Sequence, residues 1–359
     1  MSKPRVIAFY LPQFYPTPEN DEWWGKGFTE WTNVGKAQPL FKGHYQPKVP
    51  ADLGYYDLRL PLVRKQQADL AKEAGIEGFC YWHYWSNGRR LLSDVFKEVV
   101  RDKYPDFPFC LCWANHSWYK KNWNNDAKNE LLVEQLYPGK DDYEAHFYAM
   151  LDAFKDTRYM TLDGKLLFGV FQPYAIPDVR EFFDTWNSLA LKNGLNGFHF
   201  FAYSNQRSKN QEYLARGFDS VVFNPDWEYM FRKGNLKRGI NKLMREYLHI
   251  PNLIPYKEYV QVCKEEFNGD IDLVPCIEPN FDHSPRSGTR GLILKDSTPE
   301  LWKKLCCDTF RVRNGIPHEE NMVFIKAWNE WGEGNYLEPD LRYGKQYLTA
   351  LKEEIDKYN

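Results

Sequence analysis

Residues 322–334 read MVFIKAWNEWGEG. MVFIKAWNEW (322–331) opens as a short apolar run of the kind a buried parallel strand needs. It passes into Trp328-Asn329-Glu330-Trp331-Gly332-Glu333-Gly334, a turn crowded with carboxylate, amide and indole groups. Working back along the chain, seven more strand-like runs precede it: RVIAFYLP (5–12), GFCYWHYW (78–85), PFCLCWAN (108–115), LLFGVFQP (166–173), GFHFFAYS (197–204), SVVFNPD (220–226) and DLVPCIEPNFD (272–282). Helix-like segments fall at 58–74, 89–103, 141–155, 177–193, 298–314 and 341–357. In the first, Leu58, Leu62, Gln66, Leu70 and Ala74 share one face and Gly75 stops the helix; in the last, Tyr343, Tyr347, Leu351 and Ile355 form a stripe. Only a short helical segment fits between the fifth and sixth runs, and a polar, basic insertion at 228–270 follows the sixth. Eight strand-plus-helix units predict an α/β chain folded as a single (β/α)8 TIM barrel over residues 1–359. That fold takes about 250 residues, so long loops are expected, at 13–57, 116–140, 205–219, 228–270 and 283–297. An open doubly wound sheet would carry a glycine-rich turn after an early strand. Neither GxGxxG nor GxxxxGKS/T occurs, and no low-complexity linker divides the chain.

Composition excludes several function classes. Lysine and arginine number 47 against 49 aspartates and glutamates, a formal charge of −2, so the chain lacks the overall positive charge of a nucleic-acid binder. No apolar stretch approaches the roughly 18–20 residues of a membrane-spanning helix. The N-terminal MSKPRVIAFYLPQF shows no small-residue cleavage site after its apolar run. Seven scattered cysteines (Cys80, Cys110, Cys112, Cys263, Cys276, Cys306, Cys307) sit mostly in apolar runs. Together these predict a cytoplasmic location and reduced, structural thiols. Aromatic residues make up 17% of the chain, and they cluster with amides, imidazoles and carboxylates in FCYWHYW (79–85), WANHSWYKKNW (113–123) and WNEWGEGNY (328–336). Core filling explains a single tryptophan; three such mixed clusters predict a polar cleft with aromatic walls.

A (β/α)8 barrel builds its site where the strands end. The run ends supply Tyr10 and Gln13; Tyr81, His83, Tyr84 and Trp85; Trp113, Asn115, His116 and Trp118; Tyr203; Asn224 and Trp227; Glu278 and Asn280; and Trp328, Asn329, Glu330, Trp331 and Glu333. All are expected to face substrate. Glu330 and Glu333, three residues apart beside glycines that let the backbone bend closely, are the candidate catalytic pair. Glycoside chemistry needs one carboxyl to donate a proton and a second to assist at the ring, in environments that hold their pKa values apart. No metal is expected: His83, His116 and Glu278 show none of the HxH, HExxH or facial-triad spacings, and a histidine bonded to a sugar hydroxyl suits them better. No GxSxG elbow or catalytic thiol context occurs, and no cofactor is implied. Basic patches at Arg89-Arg90, Lys120-Lys121 and 232–245 read equally as solvated faces or as contacts for an anionic glycan or lipid phosphate.

Five motifs in order, FYLPQFYP (9–16), GFTEWTNV (27–34), GFCYWHYW (78–85), FCLCWANHSW (109–118) and AWNEWGEGNYLEP (327–339), resemble the WbsX-type polysaccharide-biosynthesis proteins, also described as glycoside-hydrolase-family-99-like. The resemblance spans residues 4–357 and implies a (β/α)8 barrel acting on glycans, often encoded among genes for O-antigen or capsule assembly. Its motifs add Glu30, Trp31 and Glu338 to the expected substrate contacts. In the family 99 endo-α-mannosidases and mannanases two glutamates stand at the matching strand end. By that likeness Glu330 would be the base assisting the sugar 2-hydroxyl through a 1,2-anhydro intermediate, with Glu333 the general acid/base. Gly332 stands where those hydrolases carry histidine. The expected function is a retaining, endo-acting enzyme on an α-linked, mannose-type polysaccharide. The alternatives are a glycosyltransferase or transglycosylase of surface-polysaccharide assembly, and a glycan-binding barrel without turnover. No DxD motif beside a Rossmann-like half supports a nucleotide-sugar enzyme.

Overall fold

The computed structural model describes residues 2–120, 130–226, 228–229, 239, 243, 245, 247 and 250–358. Eight parallel strands close on themselves: β1 (Arg5–Tyr10), β2 (Gly78–Ser86), β3 (Phe109–Trp113), β4 (Lys165–Val170), β5 (Phe198–Ser204), β6 (Ser220–Phe223), β7 (Leu273–Ile277) and β8 (Met322–Ile325). Each pairs with its sequence neighbours, and β1 joins β8 in the register Arg5↔Met322 to Ala8↔Ile325, which closes the (β/α)8 barrel. All nine residues of β2 are buried, as a parallel strand covered on both faces requires.

A helix follows every strand: α1 (Pro61–Glu73), α2 (Asp94–Asp102), α3 (Lys140–Phe154), α4 (Val179–Lys192), α5 (Arg207–Ala215), α6 (Tyr256–Glu266), α7 (Pro299–Val312) and α8 (Gln346–Ile355). Their starts are chemically marked. Thr298 accepts from Leu301 N–H ahead of Pro299 at the first position of α7, and Asp178 accepts from Glu181 N–H at α4.

Three expectations need correction. Most of the strands end before the apolar runs do, because the last residues of those runs leave the ladder to build the rim; β2 and β5 continue to the ends of theirs. The loop read at 205–219 holds α5, whose only apolar anchors are Tyr213 and Leu214, too few for a helical period to show. The insertion read at 228–270 contains the strand Asn252–Pro255 and α6; Tyr256, Tyr259, Val260 and Cys263 form the buried face of that helix. The other rim loops also carry structure. Segment 13–57 holds helices Pro18–Trp24 and Glu30–Lys36. Trp118–Lys120 pairs antiparallel with Glu130–Val133, and Leu292–Lys295 pairs parallel with Asn252–Pro255. Lys121 and most of the basic stretch 232–245 lie outside the described residues. All seven cysteines are free, six of them buried, and among the described residues no helix is long and apolar enough to cross a membrane.

Aromatic rings fill the barrel axis. Phe9 stacks on Trp82 at 4.6 Å between centroids and packs on Phe324 at 5.4 Å, which meets Phe201 at 5.1 Å. Burying each such ring contributes roughly 1.5–3 kcal/mol. Gly169 makes room for this layer: a Cβ there would lie 2.3 Å from the Phe201 ring and 2.8 Å from Cys112 Sγ. Gly169→Ala is therefore expected to overpack the axis and cost about 1–3 kcal/mol. Urea unfolding measures it, and an unchanged midpoint would show that Phe201 yields without strain.

Candidate active site

Above the aromatic layer, at the C-terminal ends of the strands, opens a cleft of about 550 Å³. Its floor and walls include Lys326, Glu330 and Glu333 after β8, Trp82 and Tyr84 of β2, Phe171 after β4, and His283 and Arg286 after β7; Trp23, Trp24, Glu30 and Trp118 come from the rim segments. The reactive turn is held by its own sequence. Trp328 N–H donates to Phe9 O, and the Asn329 amide pairs with both backbone groups of Leu11. Asn329–Glu330 then forms a short antiparallel ladder with Asn335–Tyr336. Between them Trp331–Glu333 makes one 3-10 turn, closed by Gly334 at φ +54°, a left-handed conformation that favours glycine. The Trp331 ring stacks on Tyr336 at 3.7 Å, and its Nε1–H donates to Glu338 at 2.5 Å. Glu338 also accepts from Tyr56 and Gln67.

The two glutamates sit in opposite electrostatic environments. Burial pushes the Glu330 carboxyl up and the charge of Glu333 pushes it further, to about 7, against Lys326, Arg286 and the Trp82 indole, which donates to Glu330 Oε1 at 2.7 Å. Burial acts on Glu333 in the same direction. It is outweighed by Arg286 (Nη1 to Oε1, 2.5 Å), then Lys326 (3.7 Å) and His283 (3.8 Å), which hold Glu333 at about 2. Just below neutral pH the pair thus keeps one proton, on Glu330. Burial lowers the Lys326 ammonium, but Tyr203, Glu278 and Glu333 outweigh it and hold it charged; Glu278 Oε1 lies 3.4 Å away. Among the described residues no group of three or more His, Cys, Asp or Glu side chains is placed to hold a metal.

Of the residues expected to contact substrate, Gln13, Glu30, Tyr84, His116, Trp118, Glu330 and Glu333 line the cleft. The others turn elsewhere, and for Tyr10, Tyr81, His83, Trp85 and Trp113 the cause is strand alternation. Tyr81, His83 and Trp85 point to the helix side of β2. There Tyr81 packs on Phe96 and Phe109, His83 Nε2 faces His146 Nε2 at 2.7 Å, and Trp85 stacks on His146 and donates to Asp142. Tyr10 likewise leaves the interior to donate to Gln67 of α1. Trp113 is buried on His146 and donates to Trp85 O, and Asn115 ties Gln172 and Tyr137. Tyr203 and Asn224 sit in the barrel interior, where Asn224 donates to the buried Glu278 at 2.9 Å. Asn280 pairs with the Tyr336 backbone, Trp31 packs on Tyr56 and Trp331, and Trp328 is buried against Phe79. Asn329, Trp331 and Glu338 brace the reactive turn. Trp227 lies outside the described residues.

The sequence pattern of the family described as Glycosyltransferase WbsX matches residues 6–351. The chain belongs to the WbsX family. It is 34% identical over 359 residues to the uncharacterized protein WxcX of two strains of Xanthomonas campestris pv. campestris, a match covering 98% of this chain and 50% of the relative. This WbsX chain therefore spans about half the length of the curated relatives it matches. Among solved structures it is similar to a glycoside hydrolase-like protein, with a TM-score of 0.63 at 15% identity over 99% of this chain and 94% of the other. It is also similar to the GH99 endo-alpha-mannosidase from Bacteroides thetaiotaomicron in complex with bis-tris-propane, with a TM-score of 0.57 at 13% identity over 99% and 97%. At these identities the likeness is one of fold.

Sequence reasoning passed over four groups of the WbsX site. Trp82 follows from alternation, since Cys80, Trp82 and Tyr84 share the interior face of β2. Lys326, a charge at the end of an apolar run, was a readable signal. His283 and Arg286 lie in a rim loop with no periodicity to mark them. Removing the indole donor by Trp82→Phe leaves the ring packing and takes away a bond that favours ionised Glu330. The Glu330 carboxyl is then expected to titrate about one pH unit higher, read by carboxyl carbon NMR on glutamate-labelled protein; an unmoved titration would exclude Trp82 from setting it.

Proposed function

We propose that this chain is a carbohydrate-active enzyme in which Glu330 and Glu333 break an α-linked, mannose-type glycan with retention, acting within the chain. WbsX-family membership and the glycosidase-like barrel support the class. The observation that carries the chemistry is the pair itself: two carboxyls on one turn of an aromatic-walled cleft, one holding its proton near pH 7 and the other kept ionised. Such a split is what general acid and base need from two like groups.

The charge environment divides the roles. Glu330, the resting proton holder, donates to the glycosidic oxygen as the C1–O bond breaks. Glu333, the carboxylate, takes the 2-hydroxyl proton while O2 closes on C1. An incoming hydroxyl then opens that ring, giving its proton to Glu330, and Glu333 returns its own to O2. This division is the reverse of the one implied by the family 99 resemblance, and the positions of Arg286 and Lys326 against Glu333 are the reason. The ring-closing step itself comes from that resemblance. A second reading has a specific support in the family description, Glycosyltransferase: a sugar hydroxyl in place of water would make the same pair a transferase.

The test incubates wild type, Glu330→Gln and Glu333→Gln with α-linked bacterial and mannan oligosaccharides, without nucleotide sugar, and reads products by mass spectrometry. Wild type is expected to give fragments, or longer products if transfer dominates, and each variant to lose about 10²–10⁴-fold. With a 2,4-dinitrophenyl glycoside, whose leaving group departs unprotonated, Glu330→Gln is expected to recover and Glu333→Gln to stay impaired. The opposite recovery would restore the division implied by family 99, and full activity in both variants would remove the pair from the chemistry. Because Glu330 loses its proton through about 7, activity is expected to fall about tenfold per pH unit above that point.

A further inference from the structure

The mechanism leaves one carboxylate of the cleft unused. Glu30 opens the helix Glu30–Lys36 and is buried, yet it faces the cleft and binds Arg286 twice, Nη2 at 2.9 Å and Nε at 3.2 Å. Arg286 leaves Nη1 for Glu333 Oε1 at 2.5 Å. Three rim segments, after β1, β7 and β8, thus meet at one guanidinium. The geometry matters here, because a planar guanidinium whose Nε–Nη2 edge is held on Glu30 Oε2 has the direction of its Nη1 fixed. On Glu333, Oε1 accepts from Arg286 with His283 at 3.8 Å, and Oε2 faces Lys326 at 3.7 Å.

Gly332 belongs to the same device. A Cβ built on it would lie 2.1 Å from Glu30 Oε2 and 3.1 Å from Arg286 Nε. No side chain at 332 is compatible with Glu30 in its present place. The departure from the histidine of the family 99 pattern is therefore accompanied by a specific occupant, the Glu30–Arg286 ion pair.

We infer that Arg286 is a positioning residue that holds Glu333 as a carboxylate aimed into the cleft, and that glycine at 332 is the opening through which Glu30 holds Arg286. The inference rests on the reading of Glu330 and Glu333 as the reacting pair. The charged or titratable groups acting on Glu333 are Arg286, Lys326, His283, Glu330 and Tyr84, with Glu30 and Glu278 one contact further out. A cation at 286 that only stapled loops together would leave the titration of Glu333 where Lys326 and His283 set it.

Glutamate-labelled, substrate-free protein is titrated by carboxyl carbon NMR, with the Glu333 resonance assigned from Glu333→Gln. In wild type Glu333 is expected to stay ionised throughout the range where the fold persists. In Arg286→Gln it is expected to titrate about 1–3 pH units higher, and Arg286→Lys, which keeps charge without the fork, is expected to fall between. Gly332→Ala is expected to alter the Glu333 titration in the wild-type background and to have no such effect in a Glu30→Ala background. Circular dichroism identifies folded variants; should Arg286→Gln unfold, the Lys and Gly332 variants carry the test. An unmoved Glu333 in a folded Arg286 variant overturns the inference, and an equal effect of Gly332→Ala in both backgrounds overturns the part played by Gly332. The titration needs no substrate, so inactivity of the pair on oligosaccharides would fell the catalytic reading while leaving the ion-pair result legible. In an active pair, Arg286→Gln also moves the acidic limb of the pH–rate profile on the cleaved oligosaccharide to higher pH.

Discussion

Closure of a parallel sheet into a barrel gives each strand residue two directions only, toward the axis or toward the helices. Every other feature of this chain answers to that constraint. The axis takes Phe9, Trp82, Phe201 and Phe324, and the outer face takes Tyr10, Tyr81, Trp113 and Phe168. Because both faces are dry, polar groups on the strands must find partners inside the protein. That is why His83 ends on His146 and, one residue past β6, Asn224 ends on Glu278. The cleft begins where the axial layer stops, so the Trp82 ring is at once the last member of the core and the donor on Glu330.

At that boundary the cleft gathers Glu30, Glu330 and Glu333 with Arg286 and Lys326, and Glu278 lies directly beneath. Buried like charges separate in pKa when cations are distributed unequally between them, and here both cations lie nearer Glu333. The asymmetry is set by backbone: Arg286 comes from a four-residue helical turn and Lys326 from the first step beyond β8. Neither glutamate acquires its character from its own sequence neighbours, which are Asn329 and Trp331 for Glu330 and two glycines for Glu333.

The same distinction governs what the sequence disclosed. Eight apolar runs made the barrel legible, each with its following helix except at α5, which has too few apolar residues to show a period, and at α6, whose Tyr256-Tyr259-Val260-Cys263 stripe lies inside a polar, basic insertion; a carboxylate pair beside glycines at a strand end marked the reactive turn. Polarity and aromaticity near a strand end overstate the rim unless alternation is applied: it sends Tyr81, His83 and Trp85 outward and leaves Trp82 in the cleft. Arg286 was illegible for another reason. Its partners Glu30 and Glu333 lie 256 and 47 positions away in the chain, and only closure of the barrel brings them together.

Asp282 shows how that assembly holds. Its N–H donates to Glu333 O at 2.7 Å, and its carboxylate accepts from Gln46 and Ser284 N–H and pairs with His44. One residue thus ties the segment after β1, the segment after β7 and the reactive turn into a single unit. Parts joined this way open together or not at all. By that coupling the amide of Asp282 and those of the Glu333 turn are expected to share one opening event. The segments after β1 and β7 and the reactive turn then form one lip of the cleft, and the ordering entropy of that lip is spent when the chain folds and not when a ligand arrives.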